Sequence, residues 1–371
     1  MSVKNQLTKD ELTLHFIATG LMNYIQQHIE YGNPIKLPYP APLQKGLNML
    51  VLLCLERNRK PPQGIPEVIS WCQDKAIPEL GLNLPSEFYT KTDRLLNKHF
   101  FTVTGFCEDW ACVESDVEDE LTEQALLRDV IGTCRERNSQ LGYEAFRRLF
   151  IEKPVITELE LHQLRIRNIE LSPLMEQIKS AYEPASPVHC FDGHFFCCSN
   201  CGSLLLKDNE GNLICEHECC PIQEDKTGRK IRKDDGVLSL KRGLKRYITL
   251  PGLAELRLVK KLKKLKLEPE LWPNFDSYDL RIVFPDNEAW AVDVKDWSNP
   301  FLLARRAEPF SKKPPWTKAW FVFPNERKKQ RPDYLRAFRN YCSILDKQTK
   351  AEFENQFIIQ VKNKLRITHN A

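Results

Sequence analysis

The run Asp276-Ser277-Tyr278-Asp279-Leu280-Arg281-Ile282-Val283-Phe284-Pro285-Asp286-Asn287-Glu288-Ala289-Trp290-Ala291-Val292-Asp293-Val294-Lys295-Asp296-Trp297 decides how the C-terminal third of this chain folds. A strand begins near Asp279 and reaches Phe284, Pro285 to Glu288 supplies a turn, and Trp290 to Trp297 reads as the antiparallel partner. Residues two apart on a strand share a face, so Asp293 and Lys295 project to one side while Val292 and Val294 enter the core. Asp279 and Asp293 both fall at the ends away from the turn, and the hairpin therefore brings them together.

Upstream, Pro251 to Leu262 reads as an amphipathic helix: Pro251 suits a helix start, and Leu253, Leu256, Val259 and Leu262 form one stripe. Glu255 is the single acid of that helix, either a helix-start carboxylate favoured by the dipole or a functional group. From Lys226 to Lys266 there are 15 Lys or Arg residues against three acids, with Lys226 to Asp235 expected as a linker. The chain carries a formal charge of +4, but residues 221–371 sum to +14 and residues 1–220 to −10. Such a basic half points to a polyanionic partner. Lys260, Lys261, Lys263 and Lys264 are the expected phosphate contacts, which carry no sequence information.

The expected fold class is multidomain, α plus α/β. Residues 1–183 read as a helical region, with helices at Leu12–Ile25, Leu47–Leu53, Pro66–Trp71, Phe88–Leu96, Leu121–Cys134, Tyr143–Ile151, Leu159–Arg167 and Pro173–Ala181. An acidic stretch from Glu108 to Glu123 includes Glu114, Asp116, Glu118, Asp119 and Glu120 and reads as a solvated face. His15, His28, His99 and His162 read as surface or core histidines. Pro184-Ala185-Ser186-Pro187 reads as a linker. No apolar run reaches the ~18 residues that span a bilayer, and the polar N-terminus lacks a signal core, so a cytoplasmic location is expected.

Seven of the 13 cysteines fall between Cys190 and Cys220. Cys198 and Cys201 stand in C-x2-C spacing, followed by a short strand, the turn Asp208-Asn209-Glu210-Gly211, and the returning strand Leu213-Ile214-Cys215. That hairpin carries a second thiolate pair, Cys215 with Cys219 or Cys220, to the same ion, with His217 as a weaker donor. The segment 188–222 thus resembles a zinc ribbon, and a site with four protein ligands is a structural Zn2+ site. His189, Cys190, His194 and Cys197 are read as packing residues.

Two carboxylates with a lysine beside them are what phosphodiester hydrolysis uses: hard oxygens for Mg2+ or Mn2+ and a cation for the developing charge. On Asp279, Asp293-Val294-Lys295 and Glu255, residues 238–371 resemble the PD-(D/E)xK superfamily, the restriction-endonuclease-like nucleases. The order also resembles that core: helix, hairpin, helix near Pro300–Arg306, strand Lys318–Phe323, helix Pro332–Leu345 and strand Phe357–Val361. Tyr278 stands where that family keeps a proline. The resemblance implies a Mg2+-dependent endonuclease acting on DNA, with RNA left open. Asp279 and Asp293 are its metal ligands, Lys295 acts at the nucleophile or transition state, and Glu255 supports the metal. A helical region, a zinc ribbon and this core together resemble accessory nucleases of bacterial defence operons, which implies anti-phage or anti-plasmid defence with protein partners; cutting both strands would favour a homodimer. The alternative is a non-catalytic nucleic-acid-binding or scaffolding subunit.

Overall fold

The computed structural model describes residues 7–31, 37–98, 101–111, 118–208, 210–215, 217, 220 and 227–369. Cys219, His99, Glu114 and Asp116 lie outside these residues, as do the side chains of His28, Glu118, Asp119 and Glu120. The architecture is mixed α/β with several sheets.

Helices Lys9–Tyr31, Ala41–Glu56, Ile65–Asp74 and Gly105–Ala111 share one core, which includes Leu14, Ile17, Leu50, Val68 and Trp110. The first two cross closely at Gly20 and Gly46. A Cβ at Gly20 would lie 2.3 Å from the Leu43 backbone nitrogen, and one at Gly46 2.7 Å from Ile17. Phe301 and Leu302, from the helix Pro300–Arg306, complete this core from the other end of the sequence.

The C-terminal region is built on a five-stranded sheet in the order Thr349–Phe353, Lys318–Phe323, Ala289–Val294, Leu280–Val283, Glu270–Leu271. The first three strands are parallel and the last two pair antiparallel. Alternation splits its side chains cleanly. Trp290, Val292, Val294, Trp320 and Val322 face one core, and Ala291, Ala319, Phe321 and Phe323 face the other. The first of these cores also takes in Val130, Phe146, Phe150 and Ile178, so packing runs across the segment boundaries read from the sequence. Val155–Thr157, Val237–Leu240 and Tyr182–Pro184 add a small antiparallel sheet that stitches the middle of the chain to the basic region.

Four local expectations need correction. Pro184 ends a strand and Pro187–His189 forms a 3-10 turn, so this stretch is ordered rather than a linker. Thr227–Arg232 is a strand paired with His194–Cys198, because Ile231 packs beside Phe195 under the ribbon. Phe88–Leu96 is not a helix. Only Ser86–Phe88 makes a 3-10 turn, after which Asp93 accepts the Thr90 N–H at 2.7 Å and closes a local turn that competes with helix. The last strand is Thr349–Phe353, and Phe357–Val361 belongs to the helix Glu354–His369. Phe357 and Val361 are four apart and buried while Ile359 is 45% exposed, which is helical periodicity. Among the described residues no helix is long and apolar enough to cross a membrane.

Candidate active site and thiolate cluster

The hairpin register pairs Leu280 with Val292 and thereby sets Asp279 opposite Asp293. Asp279 is buried and its Oδ2 accepts the Val294 N–H at 2.6 Å. Lys295 Nζ donates to Asp293 Oδ1 at 2.7 Å. Burial, then the charges of Glu255 and Asp293, pushes the Asp279 carboxyl well above its usual range. Burial opposes the Lys295 charge as well, but Asp293, Asp279 and Glu255 outweigh it and hold the ammonium above its ordinary value.

Glu255 sits on the inner face of the helix Leu250–Lys263 and is 1% exposed. Its Oε2 accepts from Trp272 Nε1 at 2.5 Å, and Arg147 Nη2 lies 3.4 Å from both carboxylate oxygens. Burial raises its pKa despite Arg147. Arg147 comes from the helix Gln140–Glu152 and also donates to Asp276 Oδ2 at 2.7 Å, an oxygen that accepts a hydrogen bond from the Tyr143 hydroxyl at 2.9 Å. Its guanidinium lies 5.0 Å from the Trp272 ring centroid. The segment that presents Trp272 and Asp276 is strained. Trp272, Asn274, Phe275 and Asp276 have φ of 44°, 52°, 58° and 74°. Each left-handed non-glycine residue costs on the order of 1–2 kcal/mol, and such outliers gather at functional sites.

Arg147, Glu255, Asp276, Asp279 and Lys295 line one cavity of about 290 Å³. The N-terminal helical region closes it with Glu108 and Asp109. Asp109 is buried; its Oδ2 accepts from Ser298 Oγ at 2.6 Å and from the Asn299 N–H at 2.8 Å. These contacts fix the turn that follows Lys295. Burial lifts the Asp109 carboxyl to about 6, against the pull of Arg246 and Ser298. Sequence reasoning missed Arg147, Trp272, Asp276 and Asp109; the first lies 108 positions from Glu255 and 129 from Asp276, and nothing local marks it.

Glu255, Asp279 and Asp293 offer the hard oxygen donors that Mg2+ takes. Burial and then the neighbouring acids raise the Asp279 pKa, and a further cation there would favour its ionised form. The Glu255 carboxylate, however, is turned to Arg147 and Trp272. Among the described residues, the one group of three or more potential ligand atoms within 4.8 Å of each other is made of thiols. The basic residues expected to touch phosphate stand elsewhere. Lys260, Lys263 and Lys264 are exposed, Lys263 pairs with Glu268 and Lys261 with Glu354, each at 3.0 Å, and none of the four lines the cavity.

The thiols are Cys198, Cys201, Cys215 and Cys220. Strands Leu205–Lys207 and Leu213–Cys215 pair with Leu205 opposite Cys215. Asp208 Oδ1 accepts the N–H groups of Glu210 and Asn212 to close the turn. At the first knuckle, Gly202 has φ of 74°, where L side chains are strained, and its N–H donates to Cys198 O at 2.9 Å. The Asn200 N–H donates to Cys198 Sγ at 3.4 Å and its Nδ2 to Cys220 Sγ at 3.2 Å. Cys201 and Cys215 sulfurs are 3.5 Å apart. Tetrahedral Zn–S bonds of ~2.3 Å place sulfurs roughly 3.8 Å apart, so the cluster is compatible with structural zinc. His217 is not part of it and instead meets Ser203 Oγ at 3.3 Å. His189 meets Leu205 O at 3.1 Å, and Cys197 packs with Phe195 and Ile231.

No curated protein and no solved structure matches the chain. Two family models do: residues 13–157 match one described as "pPIWI_RE three-gene island domain Y", and residues 252–369 match one described as "REase associating with pPIWI_RE". The second match spans Glu255, Asp279, Asp293 and Lys295, and the first spans Arg147 and Asp109. Both lead to one gene context, a multi-gene island that carries a restriction-endonuclease-associated domain.

Proposed function

We propose that the protein is a metal-dependent endonuclease of the restriction-endonuclease-like kind, acting on DNA within a multi-protein anti-phage or anti-plasmid system. The observation that carries this reading is the meeting of Asp279, Lys295 and Glu255, from a hairpin and a separate helix, along one cavity, with Asp293 bonded to Lys295 beside it. A Mg2+ or Mn2+ ion bound there would supply Lewis-acid stabilisation of the phosphoryl oxygens and a hydroxide near neutral pH. Asp279 and Asp293 would hold the ion and Glu255 would support it. The Lys295 ammonium, kept charged by its acidic neighbours, would stabilise charge on the reacting phosphate or orient the attacking water. Exposed Lys260 and Lys264 would meet backbone phosphates beyond the cavity. The thiolate cluster would hold zinc as a structural element.

One observation favours the alternative of a scaffolding subunit: Glu255 is already neutralised by Arg147. A plasmid-nicking assay with Mg2+ or Mn2+, run with and without the proteins encoded beside it, separates the two. Cleavage that vanishes in Asp293→Ala supports the nuclease. Equal behaviour of wild type and Asp293→Ala in every combination rules it out.

A further inference from the structure

A second and larger cavity, of about 940 Å³, lies between the ribbon, the N-terminal helical region and the C-terminal domain. We propose that it is a cleft for single-stranded polynucleotide that feeds a strand into the carboxylate and lysine cavity, a proposal that rests on the nuclease reading of that cavity.

The two spaces share His217, Ser298 and Arg327 in their walls, so they adjoin, and a strand held in the larger one ends beside the smaller. A mononucleotide or other small ligand would use only one. The walls suit a sugar-phosphate strand. The loop after Tyr89 contributes Thr92, Arg94 and Lys98, and the ribbon contributes Ser199 and Asn212. Hydroxyl, amide and cationic groups of this kind make most contacts to phosphate and sugar. The cations open to an anion are Arg94 and Lys98: Arg327 and Arg331 are paired with Asp296 and Asp333, and Asp93 and Asp208 accept backbone N–H groups of their own turns. Arg94 Nε is buried and has no hydrogen-bond partner among the described residues, a donor that a phosphate would satisfy. Size selects the single strand. The volume is at the upper end of the ~300–1,000 Å³ that encloses a drug-sized ligand, room for roughly two or three nucleotides and not for a turn of duplex.

The test is fluorescence anisotropy of the full chain, zinc-loaded and without Mg2+, with labelled 20-mers of single-stranded DNA, single-stranded RNA and duplex DNA. Single strands are expected to bind at least tenfold tighter than duplex, and the DNA and RNA arms identify the strand. Arg94→Gln/Lys98→Glu should weaken single-strand binding about tenfold or more and lower the salt slope by about 1.4, the value for two phosphate contacts. Lys98→Glu alone, at an exposed position, should weaken it about threefold. Lys260→Glu/Lys264→Glu, outside the cleft, should change single-strand binding less than either. Duplex binding as tight as single strand, or wild-type affinity in both cleft variants, overturns the proposal. Strand binding without cleavage under any metal defeats the nuclease reading and not the cleft; cleavage of duplex without strand binding defeats the cleft alone.

Discussion

The thiolate cluster, compatible with zinc, and the carboxylate cavity are built in opposite ways. The four thiols come from one short segment, residues 198 to 220, and a hairpin and a glycine knuckle are enough to gather them. The carboxylates come from a helix and both strands of a hairpin; an arginine from the N-terminal half pairs with Glu255, and an aspartate from it fixes the turn after Lys295. A local site has a signature in residue spacing. A site assembled across the chain shows only those members that share a strand or helix, and its supporting residues carry no mark at all. The difference also predicts behaviour, since thiols that hold a structural ion would depend on it for order, whereas the acids already have protein cations.

The largest effect should come from breaking the local site. Cys201→Ser should abolish stoichiometric zinc and make the ribbon protease-sensitive, because structural zinc contributes on the order of 10 kcal/mol to a small domain. Elemental analysis with limited proteolysis checks this, and a variant that keeps both zinc and protection removes the zinc assignment. Next, Asp293→Ala should lower cleavage on the order of a thousandfold, as loss of several kcal/mol of transition-state stabilisation requires, while leaving zinc content unchanged. Arg147→Met sharpens the comparison. It leaves Glu255 buried without its cation, so stability should fall by about 3–5 kcal/mol without metal, and Mg2+ should restore more of the thermal midpoint than it adds to wild type. If Mg2+ stabilises both equally, Glu255 does not face the ion.

The smallest effect is in pH. Asp109 has a folded-state pKa near 6 against an ordinary 3.8, so the folded state holds its proton more tightly. Its contribution is therefore present below about pH 4 and lost as pH rises through 6, up to about 3 kcal/mol. Asp109→Asn should lose less stability than wild type between pH 4.5 and 7.5 in thermal denaturation. Parallel curves would show that Asp109 does not titrate in that window.

How much was legible follows from the same contrast. Alternation in Val292-Asp293-Val294-Lys295 fixed a face, and the observed register sets Asp279 opposite Asp293 as the strand reading requires. Helical periodicity marked the stripe Leu253, Leu256, Val259 and Leu262, of which the last three are buried and Leu253 half-buried. The apolar run Phe357 to Val361 misled because a short apolar segment fits strand and helix alike, while the true strand, Thr349–Phe353, spends two of its five positions on Lys350 and Glu352. Arg147 was invisible for a different reason: its helix reads as an ordinary amphipathic one, and only the fold brings it to Glu255.

The seating of Phe301 and Leu302 in the N-terminal core has a consequence for inheritance. Gene fission between the two family-matched regions would leave one product without the apolar plug of its core and the other without Arg147. Exchange of one half alone would set unmatched surfaces against each other, most directly at Phe88 and Phe301, whose rings stack across the join.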